Sequence, residues 1–471
     1  MDNKQVASRL QAWFDGRPLP NGLTRSFRIS EDSLVIALVR MGGESTPWGI
    51  SVGSPHTKPA LFTVADPREP QARAKMISEF ANFLLKYFCH PRLNASESAL
   101  QAGAPIKQLW IPDPSHLDLL HQIAYGYAFA NGPLDDMADL NDLGRLLNCL
   151  FIQWQHPGQQ MVMIISDCLR SMYTFPASPV RQHHLGFLTA WLADDRTRTE
   201  RLANATEAEE TSISTTIDGA IERKLLNPLL ERFTKTGRTD EVLSREIRNI
   251  IEHQLNDRWN TAVNGLRSIT TDKREENPGV TTLAGISVNS WNQLWVRNVN
   301  FERKGQQTFW PALETDKSPT RAAISANERA LAATKSKEAL AHGDQELAMD
   351  LINSGHGMVC EVNQSLKTEG DLKHFIVEYS IPSNLDVRIG TSFCPFGQQD
   401  IELTVLEVDP AKHIVRLEGK SNFKVGEQLL LLEHTPDFLI EGKNRYIGLK
   451  GSPLNDLIIS ISNTSAKNGS I

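Results

Sequence analysis

Residues 34–40 read Leu-Val-Ile-Ala-Leu-Val-Arg and stop short of Gly42-Gly43. A short, almost wholly apolar run closed by a glycine pair predicts a strand followed by a turn. Outward from it, Trp48–Val52 and Ala60–Ala65 give two more strand-like runs, set apart by Gly, Pro and Ser. Pro67 and Pro70 introduce a helix from about Gln71 to Phe88, in which Met76, Ile77, Phe80, Phe83, Leu84 and Tyr87 recur on one face. A strand over Lys107–Ile111 and a helix from about Ser115 to Ala130 follow, with Asp113 or Ser115 as the helix cap. The order is strand, strand, strand, helix, strand, helix, which predicts an α/β domain over residues 1–140.

With acidic residues at its end, this order resembles the ribonuclease H-like fold of nucleases, transposases and DEDD-type 3′–5′ exonucleases. In that fold acids at neighbouring strand ends hold two divalent ions on a phosphodiester. Trp110-Ile-Pro-Asp-Pro-Ser-His-Leu-Asp118 is similar to the second exonuclease motif, an aspartate that follows a strand and opens a helix. The resemblance implies Asp113 or Asp118 as a metal ligand and the run Leu134–Leu140, with Asp136 and Asp139, as the source of another. The chain departs from the family at the first strand: its DxE motif has no counterpart, since no carboxylate lies inside Leu34–Arg40. Asp32 precedes that strand and Glu44 follows the turn. The competing reading of Asp113 and Asp118 is a helix cap and a solvated first-turn residue.

Residues 141–354 read as mostly helical. Asp142–Trp154, Gln159–Tyr173 and His184–Ala193 have helical periodicity. Glu241–Leu266 is the clearest case: Ile247, Ile250, Ile251, Leu255, Trp259 and Val263 line one stripe, while Arg245, Arg248, Glu252, Asp257 and Arg258 populate the other faces. Asp194–Asp218 reads as an exposed connection and Lys273–Pro278 as a break. In Asn298–Ser318, the cations Arg303, Lys304 and Lys317 accompany Phe301, Phe309 and Trp310. Cations beside aromatics suit base stacking over a phosphate-binding surface, and equally a buried aromatic anchor with ordinary surface charges. One or two alanine-rich helices over Arg321–Asn353 end at Ser354-Gly355.

After Gly355 the pattern changes to short strand-like runs punctuated by Asp409-Pro410, Gly419, Gly426 and Gly442. The runs are Gly357–Val362, Phe375–Tyr379, Asp386–Ile389, Ile401–Val408, His413–Leu417, Gln428–Glu433 and Leu457–Ile461. They predict a small β-barrel over 355–462 and a disordered tail over 463–471. Gly357–Val362, Val387–Gly390 and Thr404–Asp409 resemble the β-barrel module of superfamily 1 RNA/DNA helicases. The expected fold class is therefore multidomain α+β: an N-terminal α/β domain, a mostly helical middle and a C-terminal small β-barrel.

Composition narrows the function. The chain has 471 residues, 40% hydrophobic and 22% charged, with 49 basic against 56 acidic side chains and a net charge of -7. That balance excludes global disorder and any overall attraction to polyanions, so a nucleic-acid surface has to be a local patch. No apolar run is long enough to span a bilayer, and Met1–Leu10 lacks the apolar core of a secretory leader. Five scattered cysteines, none in a CxxC pair, point away from a disulfide framework or cysteine zinc site and towards a cytoplasmic location. Gly419-Lys420-Ser421 lacks the leading glycine of a phosphate loop. Pro436-Asp437 with Glu441 and Lys443 places a nuclease-like aspartate and ExK too close together. His116 with His121, and His183 with His184, lack the i, i+4 spacing of a helical metal site.

The expected function is a non-catalytic accessory or adaptor subunit of a nucleic-acid-processing complex, such as a bacterial antiviral defence or repair assembly. It would need no cofactor and would act with a separately encoded helicase or nuclease. Its nucleic-acid contacts would be Arg303, Lys304, Phe309, Trp310 and Lys317. Two alternatives stand beside it. One is a Mg- or Mn-dependent nuclease using Asp113, Asp118, Asp136 and Asp139; the other is a protein-interaction scaffold without nucleic-acid binding.

Overall fold

The computed structural model describes residues 3–42, 44, 46–88, 106–128, 137–176, 184–193, 196–210, 213–287, 319–367, 372–380 and 387–434. The first strands in chain order are β1 (Leu19–Pro20), β2 (Thr24–Arg25), β3 (Ser33–Arg40), β4 (Pro47–Gly53), β5 (Ala60–Thr63), β6 (Gln108–Ile111), β7 (Val162–Ile164), β8 (Tyr173–Thr174) and β9 (Glu275–Glu276). Five of them form one sheet in the order β5-β4-β3-β6-β7. β3, β4 and β5 are an antiparallel meander, whereas β6 runs parallel to β3 and β7 parallel to β6. The parallel steps need crossovers. Helix Pro70–Phe88 makes the first, and helices Pro114–Tyr127 and Met137–Trp154 make the second.

β3 sits at the centre and is buried on both faces, which is why its sequence is an unbroken apolar run. Leu34, Ile36 and Leu38 share one core with Ile77, Phe80, Leu143 and Leu147. Val35 and Trp110 belong to a second core with Trp259, Ala262 and Leu266 of the long helix Glu241–Thr270. β4 alternates large Trp48, Ile50 and Val52 with small Gly49, Ser51 and Gly53. A Cβ at Gly49 would come within 2.8 Å of Leu255 Cδ1 and 3.0 Å of Ile251 Cγ2, so the absent side chain lets the long helix lie against the strand.

The sheet draws on residues well past 140. Core side chains continue through Leu140, Leu143 and Leu146 without a break, and both β7 and the long helix come from the stretch that reads as a helical middle. Two expectations are corrected here. Gln159–Tyr173 is not one helix but β7 followed by helix Ile165–Met172. The Gln159 carboxamide accepts the Met161 and Val162 N–H groups at 2.8 and 2.9 Å, and the apolar Val-Met-Ile run then pairs with β6. Parallel pairing overrides a helical-looking pattern. Nor is Asp194–Asp218 an exposed connection, since it holds helix Arg198–Glu210 and then the buried residues Ile213, Thr215 and Ile217.

The C-terminal unit is a closed barrel of β10 (Gly357–Lys367), β11 (Lys373–Ser380), β12 (Ser392–Pro395), β13 (Leu403–Asp409), β14 (Ile414–Gly419) and β15 (Gln428–Glu433), in the order β10-β11-β14-β13-β12-β15. Alternate residues such as Phe375, Val377, Val415, Leu417 and Leu431 fill its interior. Register shifts at Val362/Gln364 and Val405/Glu407 mark bulges of the kind that bend strands into closure. The barrel expected from the sequence is present, with one shift. Residues 387–390 form a turn before β12, with Gly390 at φ +89°, where a strand is expected. The expected strand Leu457–Ile461 and the tail lie outside the described residues.

Helix Gln345–Asn353 joins the barrel to the body through Ala348, Ile352 and Leu432. Nearby, a Cβ on Gly279 would overlap Ala339 O at 1.8 Å, so only glycine fits that approach. No described helix is long and apolar enough to cross a membrane.

Candidate functional site

β6 ends at Ile111, but its neighbour β3 runs on to Arg40. Past the last paired residue, the N–H groups of β3 on that side need other partners. Leu38 N–H donates to His116 Nδ1 at 2.9 Å, and Arg40 N–H donates to Thr215 O at 2.7 Å. A histidine ring and a strap of residues 213–216 thus continue the sheet where a strand stops.

His116 is placed by the turn that follows β6. Asp113, with extended backbone, caps helix Pro114–Tyr127 by accepting the Ser115 N–H on Oδ1 at 2.7 Å, and Pro114 occupies the first helical position. One turn on, His116 is completely buried. Because Nδ1 accepts from Leu38, the ring proton sits on Nε2, which donates to Ile213 O at 2.9 Å. Burial pushes the His116 pKa down. Asp113, whose Oδ2 is 3.9 Å from Nε2, and the Ile213 carbonyl oppose that shift, while Arg258 adds to it. The ring is neutral.

Arg258 stands on the long helix and is 1% exposed. The sequence pattern assigns it to a polar face; the structure corrects this. Its Nε donates to Ser214 O at 2.8 Å, Nη2 to Thr216 O at 3.0 Å, and Nη1 to Gln254 O and Oε1 at 2.9 and 3.2 Å. Burial lowers its pKa to about 10 against the pull of Asp257 and Asp113, so it remains a cation at neutral pH. Every carbonyl from 213 to 216 is therefore engaged, by His116, Arg258, Arg40 and Arg258 in turn. The Ser115 hydroxyl accepts the Thr215 N–H at 3.1 Å.

The sequence candidates lie as follows. Asp113 is buried and committed as the cap, while Asp118 is exposed on the same helix. Asp139 lies in the first turn of helix Met137–Trp154, and Asp136 lies outside the described residues. Asp32 is at the opposite end of β3 from the strap, and its carbonyl accepts from the Tyr87 hydroxyl at 2.8 Å. Glu44 holds Arg68 at 3.0 Å. Among the described residues no group of three or more His, Cys, Asp or Glu is gathered to hold a metal ion. Arg303, Lys304, Phe309, Trp310 and Lys317 all lie outside the described residues.

His116, Arg258 and the strap are absent from the sequence candidates. One signal was present: Ile213, Thr215 and Ile217 put β-branched residues at every second position, as a strand with one buried face does. Chemically, a guanidinium and a neutral imidazole can fix backbone carbonyls and the charge of Asp113. They offer no nucleophile and no vacant carboxylate pair. Compared with protein-family models, with curated proteins and with solved structures, the chain matches none.

Proposed function

We propose that this chain is a non-catalytic accessory subunit of a nucleic-acid-processing assembly, built on a ribonuclease H-like core. The sheet order supports that core: an antiparallel meander of three strands, with two further strands parallel to the first, is the arrangement expected of the fold. The observation that carries the non-catalytic reading is Arg258. A two-metal centre needs clustered anions beside the central strand. Here a buried cation and a neutral histidine are tied to the strap beside that strand, and the central strand itself carries no carboxylate.

Catalysis, on this reading, belongs to a separately encoded helicase or nuclease, and the barrel offers a second module for protein contacts. Nucleic acid would be met by Arg303, Lys304 and Lys317 with Phe309 and Trp310, a cation and aromatic mixture suited to single strands.

The test is incubation of the purified chain with end-labelled single- and double-stranded DNA and RNA, with Mg²⁺ or Mn²⁺ and with EDTA, at low salt. A mobility shift without shortening is expected, weakened when Arg303 and Lys304 are both changed to Ala. Metal-dependent shortening that disappears in Asp113→Ala would overturn the reading in favour of a nuclease. Neither shift nor shortening would leave a protein-interaction scaffold.

A further inference from the structure

Helix Pro319–Ala341 packs on the body and helix Gln345–Asn353 on the barrel, so the two units meet at the corner His342-Gly343-Asp344. The body grips this corner. Asn277, 1% exposed, donates to Leu340 O at 2.9 Å, and a Cβ on Gly343 would come within 2.3 Å of Asn277 Oδ1. On the barrel side the apolar contact is small, Ala341 and Ala348 with Ile352 and Leu432. Gln399 of the barrel donates to Ala339 O at 3.2 Å, and its Oε1 accepts from the Thr282 hydroxyl at 2.9 Å. A further tie is His342 itself. Its ring is buried and Nδ1 has no hydrogen-bond partner, so Nε2 is the atom that donates to Pro395 O at the end of β12. His434, the residue after β15, is the ionisable neighbour that acts on this ring.

We infer that His342 is a proton-sensitive latch: neutral, it holds the barrel against the body, and protonated, it lets the barrel swing out about residues 342–344. The geometry sets the sign. A neutral ring leaves one dry nitrogen without a partner, whereas a proton placed on Nδ1 adds a buried charge with no acceptor. His434 takes up its own proton in the same acid range and repels that charge. No carboxylate offsets it. Glu338 and Lys335 of the same helix, with Asp400 and Glu402 of the barrel, act on the Cys394 thiol, and Asp344 caps the next helix by accepting the Glu346 N–H at 2.9 Å. In the open form both histidines are in water and titrate near the ordinary value of about 6.5. Burial and His434 lower the closed ring to about 4. The closed form is therefore fully favoured above about 6.5 and loses ground to about 4, by at most about tenfold in the closed-to-open ratio per pH unit. The latch does not depend on the accessory-subunit reading.

Small-angle X-ray scattering of the full chain, read beside amide exchange as the pH is lowered from 7.5, tests it. The radius of gyration should rise on acidification while exchange quickens over residues 392–399 and 432–434. β11 and β14, which lie across the ring from the contact strands, should keep their protection. His342→Gln still has a donor for Pro395 O but takes no proton, and it should stay compact where the native protein has opened. His434→Gln, which removes the repulsion, should move the opening to lower pH. His356→Gln, at the same end of the barrel but exposed and paired with Glu433 at 3.0 Å, should open as the native protein does. Should His342→Gln be open already at pH 7.5, His434→Gln decides alone. A native protein that expands only as β11 and β14 lose protection is unfolding, not unlatching, and overturns the inference. So does an opening that His342→Gln and His434→Gln leave where it was.

Discussion

The barrel and the sheet unit are both all-buried β cores, yet they are assembled in opposite ways. Within Gly357–Glu433 lies every strand of the barrel, and three of its six pairings join strands consecutive in the chain. The crevice beside β3 is assembled from residues 33–40, 108–116, 213–217 and 254–258, brought together across nearly half the chain. A core gathered from one short stretch of alternating strands is specified largely by that alternation. A crevice closed by a strap depends on single polar side chains that satisfy several backbone groups at once, so one substitution there removes more than any one barrel contact.

The largest expected effect follows from that contrast. Arg258→Ala leaves Ser214 O and Thr216 O without a buried donor and deletes a fully packed side chain. Breaking a buried charged network of this kind costs about 3–5 kcal/mol. None of the nine tryptophans lies within residues 355–434, and Trp48, Trp110, Trp191 and Trp259 are buried in the body, so the fluorescence of these four reports on the body. In denaturant, the fluorescence midpoint of Arg258→Ala should fall sharply while amide-exchange protection of β10–β15 stays as it was. Equal loss of protection in the barrel would break the comparison and make the two units one cooperative body.

This division also explains what could be read from the sequence. The meander, the first crossover helix and five of the six barrel strands were legible because period-2 and helical patterns act over ten residues or fewer. β7 was not, because three residues after a helical-looking turn become a strand only by pairing with β6. Arg258 was hidden for a related reason: five residues after His253 and next to Asp257 it belongs to a charged stretch, and only the strap makes it a core residue. Asp113 was legible as a cap from Asp-Pro-Ser at the start of a helix. In the sequence His116 stands only as half of a pair unsuited to metal, since nothing local announces that a β-strand will need its Nδ1.

An intermediate effect sharpens the same contrast through pH. The folded pKa of His116 is depressed by burial, so below the unfolded value of about 6.5 the unfolded chain binds more protons. Stability from the neutral ring is complete above that pH and is lost as pH falls, by at most about 1.4 kcal/mol per pH unit. His342, at the junction with the barrel, is lowered to about 4 by burial and by His434, and loses its contribution over about 6.5 down to about 4. Tryptophan-detected unfolding between pH 7.5 and 5 should therefore weaken on acidification. His116→Gln should flatten that slope, whereas His342→Gln should flatten the corresponding slope in barrel amide exchange. A tryptophan profile that His116→Gln leaves unchanged would show that the strap does not rest on the neutral ring.

The smallest effect decides the most about Asp113. As a helix cap, its carboxylate needs only an oxygen to accept the Ser115 N–H. Asparagine supplies that oxygen, so Asp113→Asn should be nearly neutral, while Asp113→Ala should cost about 0.5–2 kcal/mol. A metal ligand obeys a different order, because asparagine lacks the charge and both substitutions would then abolish stabilisation by added Mn²⁺. Thermal midpoints of the native protein and both variants, with and without Mn²⁺, separate the two. The cap predicts that Asn resembles the native protein, that Ala alone shifts, and that Mn²⁺ moves none of the three. A Mn²⁺-dependent rise confined to the native chain would instead place a cation beside Arg258, and the charge of that guanidinium makes the position a poor host for one.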